Sequence, residues 1–98
     1  MSEYISRKSE VGEGVERIRR AMKIRRVALG INQEEASLRA GIAPGTLKRF
    51  ERSGEISLRR LVALMWIYGM DRRILPAFEE MGWWELNEIR RAEKRQKA

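Results

Sequence analysis

Thr46, Lys48 and Arg49 are polar side chains that a short predicted helix would present outward while Leu47 and Phe50 point inward. An arginine guanidinium can donate two hydrogen bonds to O6 and N7 of guanine, which is worth about 1–3 kcal/mol of discrimination against other bases. A lysine ammonium can read a base or hold a phosphate. Residues 32–51 predict a short helix, a glycine turn and this second helix, and such a pair can seat its second helix in the DNA major groove. We therefore expect the side chains at 46, 48 and 49 to contact the bases of double-stranded DNA.

Positive charge is in excess and concentrated in one stretch of the sequence. The chain has 21 Lys and Arg against 14 Asp and Glu. Six basic residues lie in one stretch with no acid among them: Arg17, Arg19, Arg20, Lys23, Arg25 and Arg26. Such a density favours a polyanionic partner, although a solvated helix face is the alternative. We expect phosphate contacts from Arg20, Lys23 and Arg52.

Several functional classes lack the residues that they need. With no Cys and no His, the chain has no disulfide framework and no thiol, imidazole or zinc chemistry. No nucleophile–base pair or phosphate loop can be assembled, so we expect neither an enzyme nor a bound cofactor or metal. The longest apolar run, residues 61–68, is far shorter than the roughly 20 residues of a membrane span. With no export signal at its start, the protein is expected in the cytoplasm.

The length of 98 residues indicates one domain with a modest core. A small core favours added stability from a partner subunit, so we expect a homodimer. Trp66 and Ile67 fall off the inward face of their predicted helix and are candidates for that interface. The alternative is that another helix of the same chain covers them.

The local signals predict an all-α chain. Asn32 and Ser57 are N-cap residues, and Gly30, Gly41 and Gly69 are suited to helix ends. Pro76 would clash with the carbonyl four residues earlier, so a helix is expected to begin there. The expected helices cover about 15–29, 33–40, 44–52 and 76–81, with one more between Ser57 and Gly69.

Both ends of the chain are predicted to lie outside this domain, which would span residues 15–82. Gly12 and Gly14 interrupt the apolar period, so residues 1–14 are interpreted as a flexible arm. Residues 83–98 form a basic tail, helical or extended, that begins with Trp83 and Trp84. Tryptophan is enriched at interfaces, but both side chains can instead fold onto the core.

Four pieces of the sequence occur together at characteristic intervals. They are residues 29–35 (LGINQEE), 40–42 (AGI), 46–51 (TLKRFE) and 56–58 (ISL) followed by Leu61. With them, about two thirds of the chain, from about Val15 to Phe78, resembles the Xre family, the Cro and phage-repressor type of helix-turn-helix regulator. The resemblance implies a five-helix domain and a dimeric repressor that binds double-stranded DNA. By position, Gln33 matches a family glutamine that holds a phosphate.

The chain departs from the family pattern in two places. Residues 43–45 (Ala-Pro-Gly) replace polar readers, so base contacts at the front of the recognition helix are expected to be few. At residues 36–38 (Ala-Ser-Leu), the first two positions differ from the Leu-Ala pair that is usual in the family. We therefore expect the packing between the second and third helices to be adjusted. The Ser57 cap and the tail with residues 86–88 also resemble the antitoxin-type branch, which implies a toxin protein as an alternative partner for Trp83 and Trp84.

Overall fold

The structure, a computed structural model, describes the backbone of residues 2–81 and 86–97 and the side chains of residues 8–80 and 88–96. Over the described backbone the chain forms six α-helices and no strand, which confirms the all-α class. The helices are α1 Ser2–Ala28, α2 Gln33–Ala40, α3 Pro44–Ser53, α4 Leu58–Ile67, α5 Asp71–Met81 and α6 Leu86–Lys97. Within those ranges, none of the helices combines the length and apolar character of a membrane span.

The first helix begins much earlier than the sequence indicated. The predicted start near Val15 is wrong, because α1 is continuous from Ser2 through Gly12 and Gly14. Each glycine weakens a helix by roughly 0.5–1 kcal/mol relative to alanine, but it does not block helical backbone angles. Residues 8–13 show no periodic apolar pattern because all of them are exposed, so this part of the helix has no buried face.

The helix-turn-helix has the predicted ends. The Oδ1 atom of Asn32 accepts a hydrogen bond from the backbone N–H of Glu35 at 2.8 Å, and Gly41 closes α2 in the left-handed conformation with φ 68°. Pro44 occupies the first turn of α3, where its missing N–H costs nothing. Local signals therefore define both ends of α2 and the start of α3.

Two structural features require glycine at position 54, which ends α3. Its φ is 81°, a left-handed angle that other residues adopt only with strain. A Cβ placed on Gly54 would also collide with Cγ1 of Val15 on α1. The turn after α3 thus depends on both a backbone conformation and a close approach of two elements.

The fourth helix agrees with its signals and the fifth does not. The Ser57 Oγ accepts a hydrogen bond from the N–H of Arg60 at 3.3 Å, and Gly69 follows α4 with φ 70°. However, α5 begins at Asp71 and contains Pro76, so the predicted helix start at Pro76 is wrong. The carbonyl that loses its donor belongs to Arg72, an exposed residue at the start of the helix, where a backbone group can pair with solvent instead.

The core is small and comes from α1–α4 and the turns that follow α1 and α4. Its buried apolar members are Met22, Ile31, Ala36, Leu47, Phe50, Leu64, Met65 and Tyr68. Leu47 and Phe50 were predicted to face inward, and both are buried. Because these two side chains anchor α3, the opposite side of that helix is left facing solvent.

Candidate nucleic-acid interface

The outward side of α3 presents the three predicted base contacts. Lys48 and Arg49 are exposed and Thr46 is half-buried, while the neighbouring Leu47 is buried. Thr46 and Arg49 line a shallow depression of about 290 Å³. Polar groups held on a rigid helix beside such a depression can form hydrogen bonds with base edges in a major groove.

Arg49 is paired in the free protein with a residue that the sequence analysis did not identify. Its Nε donates to Oε2 of Glu55 at 2.9 Å, and its Nη2 contacts the same oxygen. Ser53 Oγ donates to the carbonyl of Arg49 at 2.7 Å and accepts from the N–H of Glu55 at 3.2 Å. The only sequence signal was Gly54, whose left-handed turn directs the following residue back toward the helix.

Gln33, matched by position to a phosphate contact, lies at the first position of α2. Its Nε2 donates to Oε1 of Glu51 at 2.9 Å, which connects α2 to α3. The positive end of the α2 dipole is at this position and favours an anion. The geometry thus places Gln33 at the start of α2 and links it to the helix that bears Arg49.

Arg26 belongs to the interior rather than to the basic surface. Its Nε and Nη2 donate to the two carboxylate oxygens of Glu51 at 2.7 and 2.9 Å, and its Nη1 donates to the carbonyl of Ile31 at 2.8 Å. Burial by itself raises the pKa of Glu51, but the hydrogen bonds from Arg26 and Gln33, together with nearby positive charge, lower the pKa overall. This buried ion pair fixes α1 against α3.

Other members of the basic stretch also have partners within the chain. Arg19 donates to both carboxylate oxygens of Glu16 and to the carbonyl of Glu51, and Arg25 donates to the carbonyl of Tyr68 at 2.9 Å. The hydrogen bond from Arg19 lowers the pKa of Glu16 to about 2. Pairing and burial therefore divide the basic stretch, and Arg26 is not available at its surface.

The remaining predicted phosphate contacts are exposed. Arg20, Lys23 and Arg52 all face solvent, and Arg20 lies 3.4 Å from a carboxylate oxygen of Glu16. The charge of Lys23 also contributes to lowering the pKa of Glu51 on α3. All three side chains are accessible to a phosphate.

The predicted partner-contact residues separate into three cases. Trp66 is 55% exposed on α4. Ile67 is half-buried and packs against the core, so the expectation that it falls off the inward face is wrong. Trp83 and Trp84 lie outside the described residues. Of these, Trp66 is the one that the structure places at the surface.

An apolar groove between α1, α4 and α5 was missed by the sequence analysis. It has a volume of about 650 Å³, and Ile18, Met65, Ile74 and Phe78 are among the side chains that line it. Phe78 is largely exposed. Its lining residues come from three separate helices, so no single periodic pattern reveals it.

The described residues include no cluster of three His, Cys, Asp or Glu side chains that could hold a metal ion. In a comparison with protein families, a model described as "Helix-turn-helix" matches residues 22–74, more than half of the chain. Comparisons with curated proteins and with solved structures gave no match. The matched residues run from α1 into α5 and include α2, α3 and their connecting turn.

Proposed function

Because the chain belongs to the helix-turn-helix family, we propose that it is a sequence-specific transcriptional regulator that inserts residues 44–52 into the major groove of double-stranded DNA. The observation that carries the proposal is the two-sided character of α3. Leu47 and Phe50 are buried, whereas Lys48 and Arg49 remain exposed on a helix that follows the turn of the motif. Such a helix is able to lie along base edges.

We assign two kinds of DNA contact to this surface. Thr46, Lys48 and Arg49 contact base edges, and the phosphate contacts come from Gln33, Arg20, Lys23 and Arg52. Phosphate contacts set the register and supply affinity, while base contacts supply discrimination. Residues 15–82 form the binding domain in this proposal, with 83–98 as a basic tail.

The test is selection of bound sequences from a pool of random duplexes, followed by affinity measurements on the selected duplex. Arg49→Ala should relax the preference at one base pair, whereas Lys23→Ala should weaken binding to every sequence and reduce the salt slope by about 1. Equal affinity of the wild-type protein for all duplexes would refute sequence-specific binding. Thermal unfolding of each variant separates a lost contact from a lost fold.

We further propose that the regulator is a dimeric repressor. Two recognition helices must reach major grooves about 34–36 Å apart on a two-fold operator. The exposed Trp66 supports this assignment, because exposed aromatic residues are enriched in protein interfaces. Sedimentation should show a dimer, and Trp66→Ala should weaken it. The control variant Leu38→Ala, which shortens an exposed leucine on α2, should leave the dimer unchanged. A monomer at concentrations that saturate the operator would contradict the dimer.

Repression has its own test. In a reporter strain, a promoter that overlaps the selected sequence should lose expression when the protein is produced. The Arg49→Ala variant should restore that expression. An increase in expression with the wild-type protein would show activation instead.

The second candidate function is an antitoxin that neutralises a toxin through its C-terminal segment. The observation that favours it is the exposed surface of α6, on which all described side chains except Ala92 face solvent. Co-expression with the product of the adjacent gene tests it. A complex lost on Trp83→Ala and Trp84→Ala, with DNA affinity retained, would support the antitoxin. Absence of any complex would exclude it for that partner.

A further inference from the structure

We propose that Glu55 is a specificity-determining residue that positions the Arg49 guanidinium for guanine. The inference rests on the proposed function, in which Arg49 contacts a base. Glu55 lies in the turn after α3 and contacts the Nε and Nη2 atoms of Arg49 through its Oε2 atom. It acts on a base through Arg49 and is therefore a positioning residue.

The contact leaves the base-reading edge of Arg49 intact. A guanidinium carries five N–H donors in a fixed planar fork. Glu55 occupies the Nε side, and the fork formed by one N–H of Nη1 and the outward N–H of Nη2 points away from it. That fork has the spacing that accepts O6 and N7 of guanine together. The carboxylate thus fixes the plane of the Arg49 guanidinium and leaves its Nη1–Nη2 edge available for guanine.

Glu55 is itself held relative to the helix. Its backbone N–H donates to Ser53 Oγ, which in turn donates to the carbonyl of Arg49. Gly54 directs the chain back at this point through its left-handed φ, and Val15 packs against it. The backbone and the side chain of Arg49 are therefore joined through Ser53 and Glu55 into one closed ring of contacts.

Positioning is favoured over masking by the exposure of the pair. Both side chains are more than half exposed, and exposed ion pairs contribute little to stability. Such a pair is too weak to withhold Arg49 from a guanine. It is sufficient to limit the rotamers of a long side chain before binding, which lowers the ordering cost of the contact. The carboxylate also repels phosphate, so it disfavours a switch of Arg49 from base to backbone.

The experiment is sequence selection from random duplexes by wild type, Glu55→Gln, Arg49→Ala and the double variant. Glu79→Gln, which removes an exposed glutamate on α5, is the control for net charge. We expect Glu55→Gln to reduce guanine preference about fivefold or more at the one position that Arg49→Ala also affects. Preferences elsewhere should persist, and Glu79→Gln should leave the profile unchanged. In the Arg49→Ala background, Glu55→Gln should have no further effect on that position.

Each other outcome overturns the inference in a distinguishable way. A sharper guanine preference in Glu55→Gln would show that Glu55 masks Arg49. An unchanged preference, or an equal change in the Arg49→Ala background, would show that Glu55 does not act through Arg49. If the wild-type protein selects no sequence, the proposed function fails and the inference fails with it. Unchanged thermal unfolding of Glu55→Gln confirms that the variant reports on binding.

Discussion

Helix α3 contributes one residue to each of two arginine–glutamate pairs that have opposite environments. In the pair of Arg26 with Glu51, the side chains are 10% and 4% exposed, and in the pair of Arg49 with Glu55 they are 64% and 62% exposed. The buried pair joins α1 to α3 and accepts a further hydrogen bond from Gln33. The exposed pair joins the outward face of α3 to the following turn. The same chemistry therefore joins elements of the fold on one side of the helix and, in the proposed function, prepares a contact surface on the other.

The physical difference lies in what remains when one partner is lost. An uncompensated charge in the interior has no water to solvate it, so removing one partner of a buried pair is costly. An exposed charge regains water at once. The first pair should therefore govern the free energy of unfolding, and the second should govern DNA selectivity with little effect on stability.

The largest effect is expected from Glu51→Gln. The variant leaves Arg26 buried without its carboxylate partner, so the free energy of unfolding should fall by about 3–5 kcal/mol. Urea unfolding measures it. The double change Arg26→Met with Glu51→Leu should recover much of the loss, because it removes both charges together. A loss below about 1 kcal/mol in Glu51→Gln would remove the distinction between the two pairs.

Gly54, which lies between Glu51 and Glu55 in the chain, should be the next most sensitive position. Gly54→Ala forces a left-handed alanine and a collision with Val15, whereas Gly41→Ala has the same backbone problem with open space around it. We expect a cost of about 1–2 kcal/mol for Gly41→Ala and a larger one for Gly54→Ala. Equal costs in urea unfolding would show that α1 yields to the added methyl group.

Acid should weaken the protein through its paired carboxylates. Glu16 has its pKa lowered from 4.5 to about 2, and the pKa of Glu51 is lowered as well. A lowered folded-state pKa contributes stability above the unfolded value and loses it as the pH falls through the folded value. The thermal midpoint should therefore decline from pH 4.5 toward about 2, with a shallower decline in Glu16→Gln. Identical profiles for the two proteins would exclude a contribution from Glu16.

The smallest effect on stability should come from Glu55→Gln. Loss of an exposed ion pair should change the free energy of unfolding by less than about 1 kcal/mol. The same urea titration used for Glu51→Gln measures it, so the two glutamates of the comparison are tested side by side. A loss comparable to that of Glu51→Gln would mean that the turn after α3 depends on Glu55.

The sequence predicted those parts of the fold that are set by local chemistry. Asn32 and Ser57 begin helices because their side-chain oxygens accept backbone N–H groups, and Gly41 ends α2 because it tolerates a positive φ. The helical spacing of apolar residues predicted that Leu47 and Phe50 face the core. These signals act within a few residues and need no knowledge of the rest of the chain.

Features that depend on tertiary contacts were not predicted. In the sequence, Arg26 and Lys23 are both basic residues of the same stretch. Arg26 is nevertheless buried, because Glu51 approaches it from another helix. Pro76 lies within α5, and the carbonyl that it leaves without a helical donor belongs to Arg72, an exposed residue. The pairing of Arg49 with Glu55 depends on the direction of the turn at Gly54. The spacing of residues along the chain does not show which of them come into contact in the folded protein.

The most direct test of the account is a nuclear magnetic resonance titration of the full-length protein with its selected duplex. If the outward face of α3 enters the groove, the largest changes should occur at the backbone amides of Thr46, Lys48 and Arg49 and at Gln33. The side-chain Nε–H signal of Arg49 should move with them. Changes confined to α5 and α6, with α3 unaffected at saturation, would contradict the central claim.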